Sequence, residues 1–383
     1  MKERINRQVK EIQFSGIRSF SEEVSHVEGI ISMTIGEPEF ATEQSIKDAA
    51  IDALNQDYTH YPPSVGFMDL RKKIVEFEQK THDLAYKVDE VLITNGATSG
   101  IAAVFMALLN PGDEVIIPAP MYVAYAPMIA YCRANLISFD TTPEQYQIDE
   151  AKLRACVSEN TKIFVLTSPN NPTGCVYNQQ SIEIIAKVAK EFGFFILSDD
   201  VYNQLVYLNH LPTINDIKEL RNQVIVAQSL SKPYAMTGWR IGYLLAEKTI
   251  LSEIAKIHQY LVTGISSISQ KAAVVALDTD PLRVREIYRE RRDYAMTFFK
   301  EIGLPCVKPE GAFYLFPDIS EFKLDSMTFC RKAAYEYKVA LVPGIYFGVA
   351  GDQNIRISFA CKEEELAEGL KRLGTMVRDL RSR

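Results

Sequence analysis

Phe194-Phe195-Ile196-Leu197-Ser198-Asp199-Asp200-Val201-Tyr202 runs without a break from an apolar tetrad into two acids and a tyrosine. A half-wet strand alternates apolar with polar residues; continuous apolarity fits a strand buried on both faces, in a sheet covered by helices. The same rhythm surrounds it. Val91-Leu92-Ile93-Thr94 precedes Asn95-Gly96-Ala97-Thr98, and Glu114-Val115-Ile116-Ile117 precedes Pro118 to Tyr122. Lys162-Ile163-Phe164-Val165-Leu166 leads to Ser168 to Gly174, and Val224-Ile225-Val226-Ala227 to Ser229 to Lys232. Helical patterns follow the loops, and strands alternating with helices imply an open α/β fold whose sheet is mostly parallel. Ligands bind such sheets outside the carboxyl ends of the strands, so five polar clusters placed there are expected to share one site.

Beyond about residue 280 the rhythm changes. A charged helical stretch, Arg283 to Arg292, leads to Gly311-Ala312-Phe313-Tyr314-Leu315-Phe316, a further helical segment and Ile355-Arg356-Ile357-Ser358-Phe359, which reads as a smaller α+β unit. Leu366, Leu370, Leu373, Val377 and Leu380 fall on one face of a closing amphipathic helix that is expected to cover it. The expected division is a large domain over 46–280 and a small domain over 281–383, which the N-terminal segment 1–45 joins.

With 383 residues, 47% hydrophobic and 24% charged, the chain has room for two or three domains and a large core. A net charge of −7 argues against a nucleic-acid partner. Six cysteines are scattered without a Cys-x-x-Cys pair or a close His/Cys cluster, which argues against a structural metal and a disulfide framework. The charged start Met1-Lys2-Glu3-Arg4-Ile5 has no apolar signal core, and the apolar stretch from Ile101 to Leu109 is too short to span a bilayer. A cytoplasmic protein with no membrane partner is the expectation.

Lys232 lies eight residues before Arg240, a pairing that suits an amine holding an aldehyde cofactor and a guanidinium holding its phosphate. A lone lysine after a strand is ordinarily solvated, so the weight rests on what converges on it. Lysine amines deprotonate more readily when desolvated near other cations, which makes Lys232 a candidate nucleophile. Asp199 emerges at the end of a buried strand, where an unpaired carboxylate is costly. A protonated pyridine nitrogen would satisfy it and keep the ring positive as an electron sink, whereas a helix N-cap is the plainer use of either Asp199 or Asp200. Arg356 stands mid-strand among apolar residues, where a substrate carboxylate or a structural salt bridge would answer its charge. Gly96-Ala97-Thr98 opens a helical run after a strand, where free N–H groups favour an anion; Ser229 and Arg240 are further donors. Asn171, held extended by Pro172, lies in what is otherwise a good turn. Gly36, in Ile35-Gly36-Glu37-Pro38, permits a close backbone approach or only a turn.

Four elements in this order resemble one family: Asn170-Asn171-Pro172-Thr173-Gly174, Asp199-Asp200-Val201-Tyr202, Ser229 to Tyr243 with Ser231-Lys232 and Gly238-Trp239-Arg240 inside it, and Ile355-Arg356-Ile357-Ser358. The chain looks like a class I, fold-type I aminotransferase that uses pyridoxal 5′-phosphate, over nearly its whole length. The resemblance implies that Lys232 forms the Schiff base and then acts as base at the substrate α-carbon. It also implies that Asp199 pairs with the pyridine nitrogen, by the Asp-x-x-Tyr spacing, and that Tyr202 and Asn171 bond the phenolic oxygen. Gly96, Ala97, Thr98, Ser229 and Arg240 would hold the phosphate, joined by Tyr61 of His60-Tyr61-Pro62-Pro63 from a partner subunit, so that a homodimer shares its active sites. Tyr122 matches a ring stacked on the pyridine, often a tryptophan in the family; a core or surface aromatic is the plainer reading. Arg356 would take the substrate α-carboxylate beside Asn171, with the Gly36 loop on the substrate side.

The implied reaction moves an amino group from an L-amino acid to 2-oxoglutarate with ping-pong kinetics. The motifs favour the branch containing aspartate, aromatic and N-acetyl-diaminopimelate aminotransferases, and Arg18 of Ser15-Gly16-Ile17-Arg18 is expected to gate the pocket. A fold-type I carbon–sulfur β-lyase acting on cystathionine would use the same lysine and aspartate. A cofactor-binding transcription regulator would carry a basic helix-turn-helix head, which does not precede residue 30, and a nucleotide-binding enzyme would show a Gly-x-Gly-x-x-Gly loop after its first strands.

Overall fold

The computed structural model of the protein describes residues 4–382; Met1, Lys2 and Glu3 of the charged start, and Arg383, lie outside the described residues. A short strand β1 (Ile31–Ser32) comes first. The large sheet follows as β2 (Val91–Thr94), β3 (Glu114–Ala119), β4 (Asn135–Asp140), β5 (Thr161–Thr167), β6 (Phe195–Asp199), β7 (Val224–Ser229) and β8 (Gly242–Leu245), in the spatial order β2-β8-β7-β6-β5-β3-β4. β8 runs antiparallel to both neighbours, and every other pairing is parallel.

Successive side chains on a strand point to opposite faces, and here both faces are dry. Ile93, Ile116, Phe164, Ile196 and Val226 face one core, where the helix Gln179–Phe192 packs Ile182, Ile185 and Val188. Leu92, Val115, Val165, Leu197 and Ile225 face the other, against Ile101, Val104 and Phe105 of the helix Gly96–Leu108 and Leu251 and Ile254 of Lys248–Val262. The helix Gln179–Phe192 shows why the chain stops and starts where it does. The Asn178 side chain accepts from Ser181 N at its start, and Gly193 closes it at φ 77, a left-handed conformation that glycine adopts without strain.

Two strands escape the continuous-apolar criterion. β4 is the sheet edge, and of its residues only Phe139 is fully buried, so its polar face breaks the run. β8 is buried throughout but begins only two residues after Arg240, inside a stretch read above for its chemistry.

The remaining strands are β9 (Tyr314–Leu315), β10 (Val339–Ala340), β11 (Val342–Pro343) and β12 (Ile355–Ser358). β12 lies between β11 and β9, antiparallel to both, while β1 pairs parallel with β10. Phe20 and Val24 of the helix Gly16–Ser25 and Met33 share one core with Phe299, Phe313, Phe329, Leu366, Leu370, Leu373 and Val377. Both ends of the chain thus pack together. Among the described residues no helix is long and apolar enough to cross a membrane.

Candidate active site

A cavity of about 770 Å3 opens at the carboxyl ends of the large sheet's strands. All five polar clusters reach it: Ala97 and Thr98 after β2, Tyr122 after β3, Asn171 after β5, Asp199 and Tyr202 at the end of β6, and Ser229 and Lys232 after β7. Thr34, Gly36, Tyr314 and Arg356 close it from the other side, together with Arg18 and Ser21 of the helix Gly16–Ser25.

Lys232 points its Nζ at the Gly36 carbonyl oxygen, 2.5 Å away. Burial disfavours its charged form and brings its pKa down to about 8; Glu37 opposes that shift, while Arg356 and Arg240 add to it. The amine therefore yields its proton near neutral pH. Gly36 has no room for a side chain, since a Cβ there would collide with the Tyr314 hydroxyl.

Asp199 is 4% exposed and its pKa is raised to about 6 by burial, opposed by the Tyr125 hydrogen bond. Tyr125 donates to Oδ2 at 2.5 Å and lies 2.8 Å from the Thr167 hydroxyl. The other carboxylate oxygen, Oδ1, is buried without a partner among the described residues. Asp200 does not line the cavity. It accepts from the Ser198 hydroxyl at 2.6 Å, so of the two adjacent acids only Asp199 faces the site.

Gly96 starts its helix at φ 67, and a Cβ built on it would press 2.7 Å from a guanidinium nitrogen of Arg240. The glycine lets the arginine lie against the first helical turn, where backbone N–H groups and the helix dipole favour an anion. Arg240 itself adopts φ 54, a conformation that a non-glycine residue holds only under constraint, and its Nη1 donates to the Thr237 carbonyl at 3.0 Å. Ser229 lines the same end of the cavity.

Arg356 is fully enclosed in β12. Its Nη1 donates to Asn171 Oδ1 at 3.0 Å and its Nη2 to the Thr34 carbonyl at 2.6 Å. The Tyr314 and Phe347 rings lie 4.6 and 5.1 Å from its central carbon, and its Nε is buried without a partner. Tyr314 also meets Tyr202, hydroxyl to hydroxyl, at 2.7 Å. Tyr122 packs edge-on against Tyr125, ring centroids 5.5 Å apart.

Of the residues singled out in the sequence, Tyr61, Gly96 and Asp200 do not line this cavity, and Tyr61 stands farthest from the expectation. It is 88% exposed and does not line this cavity, while the carbonyl of His60 beside it accepts from Ser267 at 2.8 Å. Gly96 contributes beneath Arg240 rather than at the cavity surface. Several cavity residues were not anticipated, among them Tyr125, Tyr314, Thr34 and Glu37. Tyr125 lies three residues past Tyr122, the spacing that places two side chains together on a helical turn, and Tyr314 and Glu37 sit inside stretches quoted for other reasons. Thr34 carries no signal in the sequence.

Residues 28–373 match the family described as aminotransferase class I and II. A probable N-acetyl-LL-diaminopimelate aminotransferase of Bacillus subtilis (strain 168) is 41% identical over 381 residues, spanning 98% of this chain and 96% of that protein. An aspartate aminotransferase of Pyrococcus horikoshii is 36% identical and covers 94% of each. The solved aspartate aminotransferase of Thermotoga maritima superposes with a TM-score of 0.93 at 32% identity, over 98% of this chain and all, 100%, of that one.

Proposed function

The chain belongs to the class I and II aminotransferases, enzymes that transfer amino groups, and from that premise we propose that it binds pyridoxal 5′-phosphate in this cavity and passes an amino group from an L-amino acid to 2-oxoglutarate. One observation carries the cofactor assignment: a lysine amine brought down to about 8 shares a single cavity with a buried carboxylate whose Oδ1 has no partner. The donor set fits the group. A pyridinium N–H would satisfy Asp199 Oδ1. The helix start at Gly96, Ala97 and Thr98, with Ser229 and Arg240, would hold the phosphate, and Tyr202 and Asn171 the phenolic oxygen. Tyr122 offers a ring to stack on.

When bound, pyridoxal phosphate supplies an aldehyde that takes up the amino group and a ring that accepts electrons from the substrate α-carbon. The protein's part is positional and acid–base. Asp199, kept ionised by Tyr125, holds positive charge at the ring nitrogen. Arg356, whose Nε has no partner among the described residues, takes the substrate α-carboxylate. Lys232 Nζ removes the α-proton and returns it within the same half-reaction, the task for which a pKa near the working pH is best suited. Gly36 and Glu37 stand beside it on the substrate side. One amino acid leaves as an oxo acid before the second oxo acid enters, so ping-pong kinetics follow.

The reading includes a homodimer in which Tyr61, exposed in one subunit, completes the phosphate site of the other. It also takes 46–280 as the cofactor-binding domain and 281–383, with the N-terminal 1–45, as the small domain that closes over substrate. The test is to load the purified protein with pyridoxal phosphate and follow its visible absorbance with a panel of amino acids. The absorbance is expected to be lost with stoichiometric release of oxo acid and to return on adding 2-oxoglutarate. Continuous pyruvate release from cystathionine, with the absorbance retained, would assign a β-lyase instead, and no visible absorbance after loading would remove Lys232 from its role.

A further inference from the structure

The hydroxyls of Tyr202 and Tyr314 lie 2.7 Å apart, and neither makes another hydrogen bond among the described residues. Both side chains are buried and both line the cavity. Burial raises the pKa of each phenol, so each keeps its proton. Two hydroxyls hold two protons, and the one bond between them uses only one. The other is left for a ligand. In the reading above Tyr202 gives its proton to the cofactor's phenolic oxygen, which fixes the direction of the pair: Tyr314 donates and Tyr202 accepts.

We propose that Tyr314 is a positioning residue for the cofactor, its hydroxyl starting a relay from Tyr314 to Tyr202 to the phenolic oxygen that strengthens the bond Tyr202 makes. The inference rests on the aminotransferase reading and adds a residue to its cofactor site. A hydroxyl that accepts a hydrogen bond becomes a better donor, and the low dielectric of a buried pair strengthens the whole chain.

The backbone holds the relay in register. Tyr314 lies on β9 and Tyr202 just past β6, 112 positions apart in the chain. The stretches beside them pair antiparallel at Val206 and Gly311: Tyr207 N donates to the Glu310 carbonyl at 2.8 Å, and Ala312 N to the Leu205 carbonyl at 2.9 Å. Gly311 sits so close to the Pro169 ring that a Cβ would overlap it, and Gly36 is pressed in the same way against the Tyr314 hydroxyl. The Tyr314 ring in turn lies 4.6 Å from the central carbon of Arg356. Tyr314→Phe therefore removes the hydroxyl alone and keeps the ring where Arg356 needs it.

The test is a pH titration of the visible absorbance of the protein loaded with pyridoxal phosphate. Donation to the phenolic oxygen competes for its negative charge with the proton on the nitrogen of the Lys232 linkage, so a weaker donor lets that nitrogen keep its proton to higher pH. Tyr202→Phe should raise the midpoint by about 1 to 2 pH units, the scale of a lost hydrogen bond to a charged oxygen. Tyr314→Phe should raise it by about 0.5 pH units, the share that polarisation along a chain contributes. The double variant should match Tyr202→Phe, because the relay acts only through that hydroxyl. Tyr288→Phe is the packing control: the Tyr288 hydroxyl is buried without a partner among the described residues and its ring centroid lies 5.4 Å from that of Phe313, so the midpoint should stay in place. An unmoved midpoint in Tyr314→Phe, an equal shift in Tyr288→Phe, or shifts that add in the double variant would overturn the proposal. No visible absorbance in the loaded, unmodified protein would overturn the cofactor reading and the relay with it, whereas absorbance that is present with an unmoved Tyr314→Phe midpoint removes only the role of Tyr314.

Discussion

Two buried carboxyl groups on opposite sides of the large sheet are built almost alike. Asp199 receives the Tyr125 hydroxyl at 2.5 Å and leaves Oδ1 without a partner; Glu78, on the helix Met68–His82, receives the Tyr243 hydroxyl at 2.5 Å and leaves Oε2 without one. Burial raises both pKa values, Asp199 to about 6 and Glu78 to about 8. Yet Glu78 is 0% exposed and does not line that cavity, with the charge of Asp200 nearby, whereas Asp199 opens onto it with Lys232, Arg240 and Arg356. A perturbed, half-satisfied acid is thus not a site by itself. Access and converging charge mark Asp199 as a site, while hydrogen bonds from Tyr125 and the Val201 backbone hold its pKa to about 6 and the nearby charge of Asp200 adds to the rise of Glu78 to about 8.

The largest effects should fall on the cavity side. Lys232→Ala is expected to lower transamination by about 10⁴-fold or more, the scale of a lost proton-transfer group. Asp199→Asn should cost about 10²- to 10³-fold in kcat, because an amide cannot hold positive charge at the ring nitrogen. Glu78→Gln should leave turnover near that of the unmodified enzyme. Steady-state rates of the three variants check this contrast, and a Glu78→Gln loss as large as that of Asp199→Asn would erase the distinction between the two acids.

A smaller effect sharpens it. Tyr125 donates to the ionised form of Asp199, so Tyr125→Phe raises the Asp199 pKa further above about 6. The cofactor should then be lost on acidification at a higher pH than in the unmodified enzyme, with roughly 10-fold weaker binding near pH 7, as for a deleted hydrogen bond to a charged group. Absorbance titrations with pyridoxal phosphate between pH 5 and 8 measure it. Unchanged affinity across that range would mean that Tyr125 only packs.

The smallest effect is on stability. The folded protein holds the Glu78 proton up to about pH 8, while the unfolded chain loses it near its ordinary value of 4.5. Folding is therefore favoured by this group at low pH, and the contribution is lost as pH rises from 4.5 through 8. Glu78→Gln has no such proton. Its thermal midpoint, relative to the unmodified protein, should climb steadily from pH 5 to pH 8; a constant offset would contradict the burial of a protonated acid.

What could be read in the sequence follows the same division. Asp199, Lys232, Asn171 and the Gly96 helix start each follow a buried strand directly, so a local pattern of apolar run and polar cluster marks them. Glu78 sits in a helix among charged neighbours, Met68-Asp69-Leu70-Arg71-Lys72-Lys73, and its burial depends on how that helix packs on β2 and β8, which no spacing reveals. Tyr125 and Thr34 were missed for a related reason. Their roles are fixed by contacts with residues 74 and 322 positions away, Asp199 and Arg356. β4 and β8 were missed because one is an amphipathic edge and the other follows a motif that reads first as chemistry.

The central claim is that the cavity holds pyridoxal phosphate through Lys232. Borohydride reduction of the cofactor-loaded protein, followed by proteolysis and mass spectrometry, locates the linkage directly. A phosphopyridoxyl mass on the peptide containing Lys232, absent in Lys232→Ala, is the expected result. The same mass on a different lysine, or on none, would contradict it.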